Sequence, residues 1–318
     1  MPPTRRLDAL PEGVAGPLRW REPGWISPRL AGVPLRYRSC MQPDGSEEWW
    51  RFALTDPKAH FEPFRGLFRR LPSPPRCKLC GGPFKGLGGV LLRPFGVRPW
   101  DKNPTLCVGC FKGLRRFGPG GAEIPCTLLF ADIRGSTGLA EHSSPSEFAA
   151  LVNRFYALAS QAIVDANGIV DKFVGDEVVA LFIPGFSGTR HAAPAIRVAR
   201  RLLVETGHDD PDGPWLHIGV GIHSGTAFVG AVAVAGEVIT FTALGDTVNA
   251  AARLAAAAGG GEVLISDSAV ANADVVLAGA ERRQLQLRGR DAPLAVHAST
   301  VHGLGAVDGH RDDQVSAP

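Results

Sequence analysis

The stretch CTLLFADIRGST, residues 126–137, decides the fold of this chain. Its first eight residues form a short apolar run typical of a buried β-strand, and Asp132 lies near the end of that run. Glycine in the next few residues favours a turn that leads into a helix. Such a strand–turn–helix junction exposes backbone N–H groups to an anion. We therefore expect an anion-binding turn made of Arg134, Gly135, Ser136 and Thr137.

Helical and strand patterns alternate after this segment. Helical spacing covers residues 144–168, 189–207 and, starting at Asp246 or Thr247, the run that ends at Gly259. Strand patterns cover residues 169–174 and 177–183 around a tight Gly175-Asp176 turn, a second pair at 216–225 and 227–234, and later runs at 262–266 and 284–300. This order predicts an α+β sandwich with helices on one face of a mainly antiparallel sheet.

Length and composition indicate a globular protein of about two domains, at roughly 150 residues per domain. The chain has 318 residues, of which 45% are hydrophobic and 20% charged. No run reaches the ~18 apolar residues that a membrane-spanning helix needs. The N-terminus MPPTRRLDALPEGV lacks the apolar core of a signal peptide. We expect a cytoplasmic protein without a membrane span.

The charge differs between the two halves of the chain. Residues 1–125 hold 21 Lys and Arg against 10 Asp and Glu, whereas residues 126–318 hold 13 against 21. This asymmetry favours two units with different roles. The predicted units are an irregular N-terminal region of unknown fold (1–75), a cysteine module (76–118), a glycine-rich linker (118–121), an α+β domain (126–300) and a flexible tail (301–318).

Two carboxylates are the strongest candidates for chemistry. Asp132 ends the first strand, and Asp176 lies in the turn between the next two. If the first two strands are neighbours, both carboxylates face one spot beside the anion-binding turn. Mg²⁺ takes few carboxylates and completes its shell with water and phosphate oxygens, so this arrangement suits it. The alternative is that Asp132 caps a helix and Asp176 fills a turn.

The last helix of the domain carries a second polar set. Asn249 and Arg253 are four residues apart, so they share one helix face and would hold a phosphoryl group between them. A solvated face is the alternative. Lys172 and Phe173 are neighbours in a predicted strand, so their side chains point to opposite faces of it. Taken alone, Lys172 is an ordinary exposed lysine.

Four segments together resemble a known family. LLFADIRGSTGLAE (128–141), DKFVGDEVVALF (171–182), GVGIHSGTAFVG (219–230) and FTALGDTVNAAARL (241–254) occur in the order and spacing of a class III nucleotidyl cyclase catalytic domain. The resemblance covers residues 126–300. It implies a ferredoxin-like fold and a head-to-tail homodimer with active sites at the interface, each built from both subunits.

The resemblance also implies roles for individual residues in making 3′,5′-cyclic AMP and pyrophosphate from ATP. Asp132 and Asp176, with the Ile133 carbonyl, would hold two Mg²⁺ or Mn²⁺ ions per site. The other subunit would supply the base-reading and catalytic residues, namely Lys172 and Thr242 for the base, Asn249 for the ribose and Arg253 for the transition state. Residues 133–137 would lie against the substrate.

The base-reading pair favours ATP over GTP. Guanylyl members carry Glu and Cys at the two positions, whereas Lys172 and Thr242 resemble the adenylyl type. Many adenylyl members have Asp in place of Thr, and the Lys–Thr version resembles a bacterial subgroup in which bicarbonate sensitivity is known. One alternative is a guanylate cyclase. Another is a diguanylate cyclase, because the segment VGDEV resembles the hairpin motif of that family. A third is an inactive cyclase-like module that acts in binding or dimerisation.

Cysteines mark the second module. Cys77 and Cys80 form one C-x-x-C pair, and Cys107 and Cys110 form another. Two such pairs complete a tetrahedral thiolate site, so we expect one structural Zn²⁺ in a zinc-ribbon-like or treble-clef knuckle. An iron site or cluster and a redox dithiol are the alternatives. Unpaired in the sequence, Cys40 and Cys126 are expected to be plain buried thiols.

The cysteine module is strongly basic. Residues 65–118 hold 12 Lys and Arg and a single acid, Asp101. Such a balance suits a polyanion such as nucleic acid or an anionic membrane surface. We favour docking of this module onto the acidic α+β domain, where it would regulate activity, because that acidic partner is already covalently attached.

Overall fold

The computed structural model describes residues 46–56, 77, 82–100, 103–110, 120–234, 238–286 and 292–304. All of them belong to one compact unit, Gln42–Pro318. In chain order the helices and strands are α1 (Glu47–Thr55), α2 (Gly86–Leu92), β1 (Pro99–Trp100), β2 (Asn103–Cys107), β3 (Gly120–Ile133), α3 (Ser136–His142), α4 (Pro145–Asp165), β4 (Ile169–Val174), β5 (Glu177–Phe182), α5 (Pro184–Ser187), α6 (Ala192–Glu205), β6 (Ile218–Val234), β7 (Val238–Leu244), α7 (Asp246–Ala257), β8 (Val263–Ser266), α8 (Asp267–Ala273), β9 (Glu281–Leu285) and β10 (Leu294–Ser299).

An eight-stranded sheet organises the fold. Its strand order is β4-β5-β3-β6-β8-β10-β9, with β7 paired to the second half of β6. The pairs are antiparallel except β6 with β8. This is the α+β architecture expected from the sequence, with one correction: β3 lies beside β5, not β4. All of β5 after its first residue is buried, whereas the second half of β4 is exposed, as suits an edge strand.

Helices cover both faces of the sheet, so the expectation of one covered face was wrong. Leu129 and Ala131 of β3 pack with α4, α6 and α8. Leu128 and Phe130 face the other way and pack with α7 and with Trp50 of α1. The unbroken apolar run in β3 reflects this, because a strand buried on both faces does not alternate with polar residues.

β6 is one continuous strand, where we expected a strand pair at 216–225 and 227–234. Ser224 and Gly225 do not turn the chain. The Ser224 hydroxyl lies 2.6 Å from the Thr127 hydroxyl on β3. A Cβ at Gly225 would lie 2.8 Å from Thr247 Oγ1, so this glycine permits α7 to approach the strand closely. The second half of β6 pairs with the first half of β3 on one side and with β7 on the other.

The domain extends beyond its predicted limits at both ends, through the sheet at its start and through core packing at its end. Gly120 and Gly121, expected in a linker, are the first residues of β3, and a Cβ at Gly121 would lie 2.5 Å from the Val229 carbonyl oxygen. Val301 and Leu304, expected in the tail, are buried in the core. Residues 305–318 lie outside the described part. Within the irregular region expected at 1–75, α1 packs a fully buried Trp50 on the sheet.

Candidate active site

Three carboxylates meet at the end of the sheet where β3 leaves it. The register of β3 and β5 places Asp132 directly opposite Glu177, and side chains of directly opposite residues share one face of a sheet. Asp176, in the turn before Glu177, lies close enough to Asp132 to raise the pKa of its carboxyl. Asp132 and Asp176 therefore come together, and Glu177, which we had not singled out, joins them. We call these three residues the acid cluster.

Two carboxyl groups of the acid cluster, those of Asp132 and Glu177, have raised pKa values. Burial, followed by the neighbouring Asp176, raises the pKa of Asp132, although Arg134 opposes the rise. Burial and the charges of Asp132 and Asp176 raise the pKa of Glu177 to about 7. Because like charges and desolvation both disfavour ionised carboxyls, a bound cation would stabilise this cluster.

Arg134 ties the acid cluster to the C-terminal end of α7. Its guanidinium forms an ion pair with the Asp132 carboxylate. The same group lies 3.3 Å from the Ala256 carbonyl oxygen and 3.4 Å from that of Ala258. The predicted turn is present: Gly135 adopts a left-handed φ of 70°, and the helix that starts at Ser136 and Thr137 follows it.

The hairpin that carries Asp176 is held from its other side by α4. Tyr156 donates a hydrogen bond to the Gly175 carbonyl oxygen. Its ring stacks on Phe173, with 4.2 Å between the ring centroids. Gly175 needs its left-handed φ of 64° for the turn. The carboxylate at the tip is thus positioned by an aromatic contact and a backbone hydrogen bond, independently of any ligand.

Lys172 and Thr242 lie in contact between β4 and β7. The Lys172 Nζ atom is 3.2 Å from Thr242 Oγ1. The threonine is buried, whereas 43% of the lysine side chain is exposed. Asp171 completes this group, which we call the Thr242 group: its Oδ2 atom accepts a hydrogen bond from Thr242 Oγ1 at 2.9 Å and lies 3.4 Å from Lys172 Nζ. Asp171 was missed in the sequence.

Asn249 and Arg253 lie on the side of α7 that faces away from the core. The opposite side carries buried Ala250, Ala251 and Leu254. Asn249 is exposed and Arg253 half-buried. At about 1.5 Å of rise per residue, Asn249 lies some 10 Å along the helix axis from the Ala256 carbonyl group that contacts Arg134.

Comparison with known proteins identifies this arrangement. The model of the family described as "Adenylate and Guanylate cyclase catalytic domain" matches residues 122–299. The chain belongs to this class III cyclase family. The match begins within β3 and ends with β10, so the cyclase domain comprises the whole eight-stranded sheet.

Named relatives of the cyclase domain include adenylate cyclases. The "Adenylate cyclase" of Anabaena cylindrica is 31% identical over 207 residues, which cover 61% of this chain and 41% of the relative. "Adenylate cyclase 1" of Rhizobium meliloti is 38% identical over 133 residues, or 40% of this chain and 20% of the relative. The chain thus spans about two fifths of the length of the first relative and one fifth of the second.

A solved structure shares the fold of the cyclase domain. The crystal structure of the guanylyl cyclase Cya2 superposes with a TM-score of 0.51 at 25% sequence identity. The superposition covers 56% of this chain and 93% of that one. Among the residues described, no helix has the length and apolar character required to cross a membrane.

The cysteine cluster lies outside the cyclase domain match and contains Cys77, Cys107 and Cys110. Their sulfur atoms all lie within 4.8 Å of one another. The Cys107 N–H donates to the Cys77 sulfur at 3.2 Å, and the Cys110 N–H donates to the Cys107 sulfur at 3.3 Å. Cys80, the fourth predicted ligand, and Cys40 lie outside the described residues. Cys126 is buried in the sheet, and burial raises its pKa to about 12.

Proposed function

We propose that this chain is an adenylate cyclase that converts ATP to 3′,5′-cyclic AMP and pyrophosphate. The observation that carries the proposal is the acid cluster, in which burial and like charge raise the pKa of Asp132 and of Glu177 even though Arg134 forms an ion pair with Asp132. Its supports are the adenylate cyclases among the relatives and the Lys172–Thr242 contact. In the reaction the ribose 3′-oxygen forms a bond to the α-phosphorus, and the bond from that phosphorus to pyrophosphate breaks.

The acid cluster fits a pair of Mg²⁺ or Mn²⁺ ions. Oxygen donors are the ligands these ions prefer. Burial, followed by neighbouring negative charge, raises the pKa of Asp132 and of Glu177, and a bound cation would offset both effects. Asp132 and Asp176 would hold the ions together with the Ile133 carbonyl. When bound, such ions lower the pKa of an attacking hydroxyl and neutralise leaving phosphates. Glu177 adds negative charge beside them.

The remaining residues position the nucleotide and stabilise charge. Arg253 would act electrostatically on the phosphoryl oxygens as negative charge develops there. Asn249 would hold the ribose. The turn would place the backbone N–H groups of residues 135–137 against the phosphates, whereas the Arg134 N–H donates to the His217 carbonyl oxygen at 2.8 Å. Lys172 would donate a hydrogen bond to a ring nitrogen of adenine, and Thr242 would contact the neighbouring amino group.

We infer that two copies of the chain assemble to complete each site. Arg134 of the acid cluster's surroundings contacts the Ala256 carbonyl group of α7. Asn249 is exposed about two helical turns, or some 10 Å, away from that carbonyl group. Two separated half-sites on one chain suit a head-to-tail homodimer, in which each half completes the other.

The cysteine cluster is proposed to bind one structural Zn²⁺. The Cys77 and Cys110 sulfur atoms are 4.0 Å apart, close to the ~3.8 Å expected in a tetrahedron of 2.3 Å Zn–S bonds. The backbone N–H groups aimed at the sulfurs suit thiolates. Phe186 of α5 packs against both this cluster and the core of the cyclase domain. This contact supports the docking of the module on that domain and a regulatory role for it.

Product analysis tests the proposed function. The purified full-length chain is incubated with ATP or GTP and Mn²⁺, and the products are identified by chromatography and mass spectrometry. We expect cyclic AMP and pyrophosphate in equal amounts from ATP, and little product from GTP. Cyclic GMP as the main product would replace the proposed substrate. No cyclic nucleotide from either substrate, in folded dimeric protein, would favour an inactive binding module.

A further inference from the structure

A β-bulge brings Asp171 to the Thr242 group. In the β4–β5 register, Val170 lies opposite Ala180 and Lys172 lies opposite Val179, so Asp171 is an extra residue in β4. In a regular strand Asp171 and Lys172 would point to opposite faces. The bulge re-aims the extra side chain, and both residues contact Thr242. The Asp171 side chain is 2% exposed, which is rare for a carboxylate without a specific role.

The hydrogen bonds around Thr242 determine what its hydroxyl can still do. A hydroxyl has one proton to donate and two lone pairs that accept. An ionised carboxylate only accepts, so the proton in the 2.9 Å contact between Thr242 and Asp171 belongs to the threonine. Lys172 Nζ only donates, so it uses one lone pair of the hydroxyl oxygen. Thr242 is left with one lone pair and no proton to offer to a base.

We propose that Asp171 is a positioning residue that makes the enzyme prefer a 6-aminopurine, because it fixes Thr242 as a hydrogen-bond acceptor. The inference rests on the proposed function and deepens it. Adenine offers an amino group at position 6 and an unprotonated N1, which match the acceptor Thr242 and the donor Lys172. A 6-oxopurine offers a carbonyl oxygen and an N1–H group, and both mismatch. Asp171 acts through Thr242 and does not itself touch the base.

The test compares ATP with inosine triphosphate, which has the 6-oxo group and N1–H of guanine without its 2-amino group. In Asp171→Asn, the amide can donate to Thr242 Oγ1 and release the hydroxyl proton toward the base. We expect the ratio of kcat/KM for ATP to kcat/KM for inosine triphosphate to fall roughly tenfold or more, the size of one reversed hydrogen bond. The change should appear mainly in KM. Asp165→Asn, at an exposed position on α4, is the matched control and should leave both substrates unchanged.

A second background distinguishes a positioning role from a purely structural one. If Asp171 acts through the threonine hydroxyl, Asp171→Asn should alter the ratio no further in a Thr242→Val protein. Thermal melting shows whether Asp171→Asn folds. If it does not fold, Asp171→Ser, which also removes the carboxylate, is used in place of Asp171→Asn in both backgrounds. If the ratio of the two kcat/KM values is unchanged in folded Asp171→Asn, the inference is overturned. It is also overturned if Asp171→Asn changes this ratio equally in the wild-type and the Thr242→Val backgrounds. Wild-type protein that makes no cyclic nucleotide refutes the proposed function instead, and this outcome is seen before any variant is made.

Discussion

The acid cluster and the cysteine cluster each gather three side chains of types that can bind metals, but the forces that gather them differ. Asp132 and Glu177 are opposed because β3 and β5 are paired strands with buried side chains on both faces. Around the cysteine cluster the packed side chains are only Phe84, Trp100 and Phe186 among the described residues, each partly buried. Hydrophobic packing thus assembles the first site despite charge repulsion, whereas the second has little core of its own. We infer that the catalytic site exists before its metal and that the cysteine site forms with it.

The largest effect should follow from removing one acid of the acid cluster. Asp176→Ala deletes a carboxylate that no other residue can replace in the hairpin turn. We expect turnover to fall by roughly a thousandfold or more, because at least one metal ion would be lost. The melting temperature should stay within a few degrees of wild type, since the side chain packs on no core. Cyclic AMP formation and thermal melting measure the two effects.

Asp165→Ala serves as the control for an acid outside the site. Near-normal activity of Asp176→Ala with Mn²⁺ and ATP would contradict the assignment of the acid cluster. If Asp176→Ala instead failed to fold, the acid cluster itself would be needed to hold the sheet together. The contrast with the cysteine cluster would then be wrong.

The next effect concerns the division of the site between two chains. Asp132→Ala and Arg253→Ala should each be inactive alone. Mixed in equal amounts and allowed to exchange subunits, they should regain about a quarter of wild-type activity, because half of the dimers are mixed and each has one intact site. Activity is measured beside gel filtration of differently tagged chains. If exchange occurs and no activity returns, each chain builds its site alone.

A smaller loss of activity, but a larger change in structure, is expected at the cysteine cluster. Cys107→Ser should release one equivalent of zinc and loosen residues 77–110, because folding there depends on the metal. Cys126→Ser should keep the zinc, since that thiol lies in the sheet. Elemental analysis and hydrogen exchange measure the two effects. Iron with visible absorbance, or no metal in anaerobically purified protein, would contradict a zinc site.

The smallest effect is a pH dependence within the sheet that supports the acid cluster. His191 lies 2.7 Å from Thr127 Oγ1 of β3 and 3.3 Å from Asn272, and burial lowers its pKa to about 4. Between pH 6.5 and 4 the unfolded chain therefore binds a proton that the folded chain excludes. Stability should fall as pH falls through this window, by up to about 3 kcal/mol.

His191→Gln should reduce the dependence of stability on pH, even if the substitution also lowers the stability at pH 7.5. Urea midpoints at pH 5 and pH 7.5 measure the slope, and His142→Gln, at an exposed position, should leave the slope as in wild type. An unchanged slope in His191→Gln would show that another group carries the pH dependence of the sheet.

The sequence predicted correctly those elements that depend only on neighbouring residues. The Gly175-Asp176 turn and its two strands lie where the sequence placed them, because turn chemistry and apolar runs act over a few residues. Glu177 was missed because its role depends on the register with β3, more than 40 residues away. A single sequence does not reveal that register.

Asp171 was missed for a different reason. The run Ile169-Val170-Asp171-Lys172-Phe173 breaks strict alternation, with two apolar residues, two polar residues and an apolar one. This break is the signal of a bulge, although an edge strand facing solvent gives a similar pattern. The continuity of β6 was hidden by Ser224-Gly225, which resembles a turn but serves helix packing. In both cases tertiary contacts overrode a local preference.

The length of β6 restricts how this protein can vary in evolution. The strand pairs with β3 along one edge, and with β8 and then β7 along the other. Substitutions along it change one contact at a time. A single inserted or deleted residue, however, would turn every later side chain to the wrong face and shift β7, which carries Thr242, against the rest of the sheet. Among homologues we therefore expect the 17-residue length of this strand to be invariant, even where few of its residues are.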